Sequence, residues 1–307
     1  MSLLSLIAVF LIEQLQPLHY RRVVEEPVAA WAGFIESHFD AGEYRHGVIA
    51  WFLAVLVPVV LVAALYGALY SISPLLGFLL NVGVLYLILG FRQFSHHYNE
   101  IQLALRMDDL PRARQLLNEW QGRSADGLGS QDIARLSIEA GLVAAHRHVF
   151  AVIFCFVVLP GPSGALLYRL AVLVRDRWQE KKSVERNDFA TFSSQVFGII
   201  DWLPARATAI TFAIVGDFED ALYCWRTQAG QWPDRNLGVV LASGAGALGV
   251  QLGLPLADGI EVNEGAELGL GDPADVDFMQ SAVGFVWRAT VFWALLLFLL
   301  GLASLAG

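Results

Sequence analysis

Apolar and polar positions fall in long blocks along this chain, and the blocks predict helices. Val48 to Tyr70 is an almost unbroken apolar run. It exceeds the roughly 20 residues that a helix needs to cross a bilayer's hydrocarbon core, with Pro58 as a tolerated kink. Ser71-Ile72-Ser73-Pro74 reads as a tight turn, after which Leu75 to Leu89 returns as a second membrane helix. The segments flanking this hairpin therefore share one side. Upstream, Leu3 to Ile12 is apolar and short, closing on Glu13. From His19 to Arg45 the pattern is amphipathic, with Val28, Trp31, Phe34, Ile35 and Phe39 at helical spacing. That segment suits a membrane surface or another loop.

Phe91 to His148 is the largest polar stretch and reads as a helical lobe. Asp108-Asp109-Leu110-Pro111 stops one helix and starts another, with proline at an early helical position. Gly122 to Gly129 is a loop, and Ser130 is placed to cap a further helix from Ile133. That helix continues into the apolar arm Val149 to Leu159. Pro160-Gly161-Pro162-Ser163-Gly164 breaks the chain, and Ala165 to Val174 is a second apolar arm. Seven arginines lie between Arg92 and Arg147, and five Lys/Arg between Arg175 and Arg186. Because Lys and Arg favour the cytoplasmic side, Val149 to Val174 reads as a hairpin that starts and ends there, spanning or re-entrant. Val283 to Ala303 is the last span.

Composition agrees. The chain has 307 residues, of which 56% are hydrophobic and 16% charged, against about 25% charged in soluble domains; mean hydropathy is +0.54. The expected fold is an all-α polytopic membrane protein of one domain, with five or six membrane segments and a cytoplasmic lobe over residues 91–148. The expected location is a bacterial inner membrane. A net charge of −9 excludes a nucleic-acid footprint. Cys155 and Cys224 suggest neither a metal site nor a disulfide framework, and no cleaved signal is visible.

Candidate chemistry centres on Asp201-Trp202-Leu203-Pro204-Ala205-Arg206, which places an acid, a proline and an arginine inside the apolar run Val196 to Gly216. Charges at membrane depth are costly and usually pair or line a polar cavity. Pro204 removes a helical hydrogen bond, so the run reads as a broken helix. Asp201 and Arg206 form either part of a polar cavity or a buried ion pair. Arg92, Arg123, Arg135, Arg147 and Arg169 are candidates for a cytoplasmic anion site, or are the ordinary basic bias of that side. His96-His97 and His146-x-His148 would need to converge with Glu100 or Glu139 to bind a metal; Glu13, His96 and His97 are the weak metal candidates. Ser243 to Gly249 is a small-residue run with no following lysine, hence close backbone packing rather than a phosphate loop.

Several blocks resemble one family. Gly122-Arg123-Ser124-Ala125-Asp126-Gly127-Leu128 and Ile133-Ala134-Arg135-Leu136-Ser137-Ile138-Glu139 resemble the GRDT-x-GL and VARAxVES blocks of the CobD/CbiB cobalamin-biosynthesis membrane family. Gly161 to Arg169 is similar to its GGPPGALxYR, and Asp201 to Arg206 to its NWLPAR. Asn236 with Ala245-Gly246-Ala247-Leu248-Gly249-Val250 resembles its AGALGV block, and Gly271 to Asp275 falls at a similar acidic segment. The resemblance implies a membrane amide ligase that uses ATP and magnesium to join an aminopropanol unit to adenosylcobyric acid. It names Glu139, Arg169, Asp201, Arg206, Arg123, Arg135 and Asn236 as ligand-binding candidates, with Asp201, Arg206, Glu139 and Arg169 expected around one cavity.

The chain departs from the pattern at VAENTxDG, where it reads Gly141-Leu142-Val143-Ala144-Ala145-His146-Arg147-His148. Asp201 and the His96-His97 pair are similar to AmpE-like relatives, which are associated with β-lactamase induction through cell-wall recycling. The resulting expectation is a protein without enzyme activity: a non-ligase, AmpE-like ligand-binding or regulatory membrane protein. Its expected partners are the bilayer and a small-molecule ligand or membrane protein, with oligomers allowed. The alternative is adenosylcobinamide-phosphate synthase, and a third reading is a structural membrane subunit.

Overall fold

The computed structural model describes residues 2–15, 21–39, 44–89, 91–122, 124–182, 188–253 and 267–306. They are almost entirely helical: α1 (Ser2–Leu15), α2 (Glu26–Phe39), α3 (Tyr44–Trp51), α4 (Val57–Ile72), α5 (Pro74–Ile88), α6 (Phe91–Arg106), α7 (Leu110–Gln121), α8 (Ser130–Ala145), α9 (Ala151–Val158), α10 (Ser163–Lys182), α11 (Phe189–Ile200), α12 (Trp202–Val215), α13 (Phe218–Gln228), α14 (Arg235–Leu248) and α15 (Val276–Ala306). Three stretches among the described residues are long and apolar enough to cross a membrane: Tyr44–Ile72, Ser130–Val158 and Val276–Ala303. The broken pair α11 and α12 makes a fourth if counted as one span. The protein is thus a helical protein with three to four membrane-capable helices. The helix Ser130–Val158 has 61% of its apolar window buried, against 28% and 33% for the other two, which makes it an interior helix.

Two compact units are present, Met1–Gly90 with Arg147–Pro204, and Phe91–His146 with Ala205–Gly307. In the first, α3 runs into α4 through a π turn at Phe52–Leu56. Pro58 is the second residue of α4, and a proline's missing N–H accounts for a local change in helical bonding there. Ser73 caps α5, its hydroxyl accepting from the Leu75 amide at 3.3 Å, so the predicted turn is also a helix start. Helix α2 forms as its periodicity predicts. It buries Ala32, Ile35 and Glu36 and leaves Trp31 and Phe34 exposed, and the Ala32 carbonyl accepts from the Trp178 indole of α10 at 3.3 Å.

The second unit holds the predicted break between α6 and α7. Asp108 takes φ +58°, and the Asp109 carboxylate accepts from the Arg112 amide at 3.1 Å. Helix α8 departs from expectation at its start. Gly129, not Ser130, occupies the cap position, and no side chain caps the helix. The small-residue run of α14 packs by backbone approach: a side chain at Gly246 would overlap the Asp220 carbonyl of α13, and one at Gly216 would lie 2.6 Å from the Ala247 carbonyl oxygen. A short parallel pair, β1 (Val250–Gln251) with β2 (Asp272–Pro273), precedes α15. Asp275 caps α15 by accepting from the Asp277 and Phe278 amides at 2.9 and 2.8 Å. Both cysteines are free and buried. Burial first and the nearby Asp220 second push the Cys224 thiol up to about 11, so it stays protonated.

Candidate functional site

The first unit's polar centre is built on the hairpin of α9 and α10. The helix from Ile133 continues into the arm Val149 to Leu159, as the sequence reading expects: α8 and α9 are one helix, joined by a π turn at His146–Phe150. Such turns shift the register of the face beyond them and are frequent at functional sites. This one carries Arg147 and His148. The hairpin turns at Gly161, φ +63°, and the Ser163 hydroxyl donates to the Pro160 carbonyl at 2.7 Å. Helix α10 then presents Tyr168, Arg169, Arg175 and Asp176.

Tyr168 and Asp201 are both fully buried, and the phenol donates to the Asp201 carboxylate at 2.8 Å. Arg169, 3% exposed, lies 3.8 Å from Glu25. Arg147 lies 3.5 Å from Asp176, and Arg175 lies over the Phe197 ring at 4.9 Å. Arg147 and Arg169 both stand close enough to His148 to act on it electrostatically.

The second unit carries the remaining candidates. Buried Arg135 donates to Asp132 at 3.0 Å. One turn on, Glu139 accepts from the Gly253 amide at 2.8 Å. Arg206 donates to the Asn236 side-chain oxygen at 3.3 Å. Asn236 opens α14, where Asp234 accepts from the Asn236 and Leu237 amides. His146 pairs with Thr208 at 2.9 Å, so the two histidines of His146-x-His148 serve different surroundings. An apolar cavity of about 140 Å³ lies between α6, α8 and α15, lined by Tyr98, Ile138, Leu142, Val286 and Trp287 among others.

Of the four residues expected around one cavity, Asp201 and Arg169 belong to the first unit and Glu139 and Arg206 to the second. Each has its own partner within its unit. The break at Asp201 sits three residues before Pro204, as expected when a proline cannot continue the preceding turn. Arg123 lies outside the described residues. Glu13 belongs to the first unit and His96 and His97 to the second. His96 pairs with Glu100 at 3.4 Å, and His97 stacks on Trp120. Among the described residues no three of His, Cys, Asp and Glu gather as a metal-binding group. Tyr168 was not among the candidates named from sequence, whereas Arg147 was named for an anion site and His148 for a metal-binding pair. The Tyr-Arg pair ending the Gly161 to Arg169 block was the available signal for Tyr168.

Comparison with known proteins gives this geometry a family. The family model "CobD/Cbib protein" matches residues 5–286. The chain is 36% identical over 268 residues to Cobalamin biosynthesis protein CobD of Stutzerimonas stutzeri, covering 86% of each chain. It is 36% identical over 223 residues to the protein of the same name from Chromobacterium violaceum, covering 73% of this chain and 71% of that one. With that of Halalkalibacterium halodurans it shares 25% over 280 residues, 87% and 86% of the two chains. No solved structure matches. These relatives overturn the expectation of a non-ligase, AmpE-like regulatory protein: the matches run along most of the chain and carry cobalamin-biosynthesis names.

Proposed function

The chain belongs to the CobD/CbiB family, and on that premise we propose that it is a cobalamin-biosynthesis amide ligase, joining an aminopropanol unit to adenosylcobyric acid at the expense of ATP. The observation that carries this reading is the buried Tyr168–Asp201 pair beside Arg147, Arg169 and His148. Burying charge is costly, and a unit otherwise built from apolar helices keeps it here in two blocks that resemble family motifs. Amide ligation through a phosphorylated intermediate needs basic groups for phosphate and acids for magnesium. Magnesium commonly takes one or two carboxylates and completes its shell with water and substrate phosphates. A three-donor protein cluster is thus not required, and Asp201 is the motif acid available in this unit. The bound metal and ATP would supply phosphoryl activation of the acid; the protein's part is to hold phosphate on arginine and keep water out. Expression in a cobalamin-auxotrophic strain lacking its own ligase is expected to restore growth without added cobalamin. Absence of growth with the protein present in the membrane fraction refutes the reading.

The finer topology belongs to the same proposal: an inner-membrane protein in which α1 and α5 join the four candidate spans to give six segments, with α6 and α7 on the cytoplasmic side. Exposed Ser37 and Glu119 then share that side. Cysteines introduced at both positions are expected to react only with reagent that reaches the cytoplasm, since Cys155 and Cys224 are buried. Labelling of position 119 from the periplasm alone contradicts the arrangement. Ser37 is the better probe than its neighbour Glu36, which is buried.

A further inference from the structure

We propose that the apolar cavity between α6, α8 and α15 of the second unit is a site for one membrane phospholipid, with the upper part of an acyl chain inside the cavity and the headgroup toward Arg106. This rests on α15 crossing a bilayer and is independent of the ligase reading.

The cavity has defined walls. Tyr98 forms one of them, its hydroxyl donating to the Met279 carbonyl at 2.9 Å. Gly141 of α8 lets the Tyr98 ring come close, since a Cβ there would stand 3.0 Å from the ring carbon Cε2. Ile138, Leu142, Val283 and Val286 continue the apolar lining around a volume of about 140 Å³. Trp287 also lines it and is 52% exposed, so it marks the mouth. An apolar void of about 150 Å³ takes one benzene-sized group. This cavity is therefore far too small for a corrinoid or a nucleotide, and it suits a short run of methylenes.

Polarity along the α6–α15 seam falls in the order in which a phospholipid's own polarity falls. At one end, Gln102 and Arg106 of α6 both donate to the Gln280 side chain of α15, at 3.1 and 3.2 Å. Asn99 and Ser95, one and two turns back along α6 from Gln102, belong to the cavity lining. They bring an amide and a hydroxyl to the level that ester carbonyls would occupy. The apolar body of the cavity comes next. Beyond Trp287, the residues Val291, Leu295, Phe298 and Leu302 recur at helical spacing on α15 and are between 48% and 63% exposed. From Trp287 to Leu302 this stripe is roughly 22 Å long at 1.5 Å per residue, enough to line one leaflet of roughly 15 Å, half of the hydrocarbon core. A guanidinium at the polar end suits a lipid phosphate. A free apolar molecule would use the cavity but neither Arg106 nor the stripe.

The test uses the full-length protein in vesicles of phosphatidylethanolamine and phosphatidylglycerol. The vesicles carry a trace of phosphatidylcholine with a diazirine high on one acyl chain, and peptide mass spectrometry locates the label after irradiation. Label is expected on Tyr98, Ile138 or Leu142, which are at most 5% exposed and lie beyond the reach of lipid that only coats the surface. V283F fills the cavity and is expected to lose that label while keeping label on Val291 and Leu295. I214F, on the exposed face of α12, is expected to keep both. Label confined to exposed residues of α15 overturns the site, and so does wall label that V283F leaves unchanged. No label anywhere on α15 overturns the site together with its membrane premise. Wall label from a small apolar diazirine but not from the phospholipid overturns lipid as the occupant. If V283F does not fold, A282F replaces it. If neither folds, the wild type decides alone, wall label supporting the site and its absence overturning it. Growth of a complemented strain does not enter, so failure of the ligase reading leaves this outcome intact.

Discussion

Gly164→Ala is expected to destroy the hairpin of α9 and α10, with a loss of about 3 kcal/mol or more, at or above the upper end of ordinary overpacking costs. Gly164 lies in the first turn of α10, where the backbone of α9 crosses it. An added Cβ would overlap the Cys155 carbonyl oxygen and lie 2.6 Å from the Cys155 carbonyl carbon, with the Leu159 Cβ at 2.9 Å. Two of these atoms are backbone, so no side-chain rotation relieves the overlap; the helices must part. Tyr168 and Arg169 are one turn further along, and parting the helices moves both. The matched control is Gly198→Ala in α11, where no heavy atom outside the local helix lies within 4 Å of the added carbon. There the gain in helix propensity, about 0.5–1 kcal/mol, is the whole effect. Melting curves of the two variants in one detergent decide the matter, since equal melting temperatures would show that α9 and α10 do not pack as described. Gly164→Ala is also expected to abolish complementation, and Gly198→Ala to retain it.

The same glycine shows what was legible in the sequence and what was not. The Pro160 to Gly164 break was plain from composition, as were the turn at Ser71 to Pro74, the helix change at Asp109 and the interruption near Asp201. Each is set by short-range rules: a proline without an N–H, a cap one turn from its amide, a glycine where the chain must turn. The continuation of the helix through His146 into Val149 to Leu159 was legible, but the π turn at His146–Phe150 was not. Nor were the partners legible. Asp201 finds Tyr168 33 positions away and Arg206 finds Asn236 30 positions away, and nothing in local pattern encodes those pairings. Ser130 looked like a cap by residue type, yet Gly129 precedes the first helical residue and takes the position.

The functional misreading had a similar origin. Loss of acid and amide groups across Val143 to His148 was weighed as loss of chemistry. A single block is a small part of a relation that extends over 268 residues at 36% identity. The substituted residues include Arg147 and His148, which stand in the polar centre of the first unit. The block changed its charge and kept its place.

Tyr168→Phe is expected to destabilise the protein by about 1.5–3 kcal/mol, the range for a hydrogen bond to a charged group. It removes one donor from a carboxylate that is 1% exposed. Asp201→Asn acts differently: the amide oxygen can still accept from the phenol, so the packing survives while the negative charge is lost. In the double variant the donor is gone and the remaining acceptor is neutral. Its stability is expected to exceed that predicted from the sum of the single effects by about 0.5–3 kcal/mol, the usual coupling between contacting residues. Function separates a ligand-facing acid from a purely structural one. If Asp201 serves the ligation, Asp201→Asn stays folded and fails to complement, and adding Tyr168→Phe does not restore growth. If the pair is only a buried contact, stability and growth move together through all three variants. Melting curves in detergent beside growth of the complemented strain read both quantities on the same set. A double variant that recovers stability and growth together would remove Asp201 from the site and leave it as a structural partner of Tyr168.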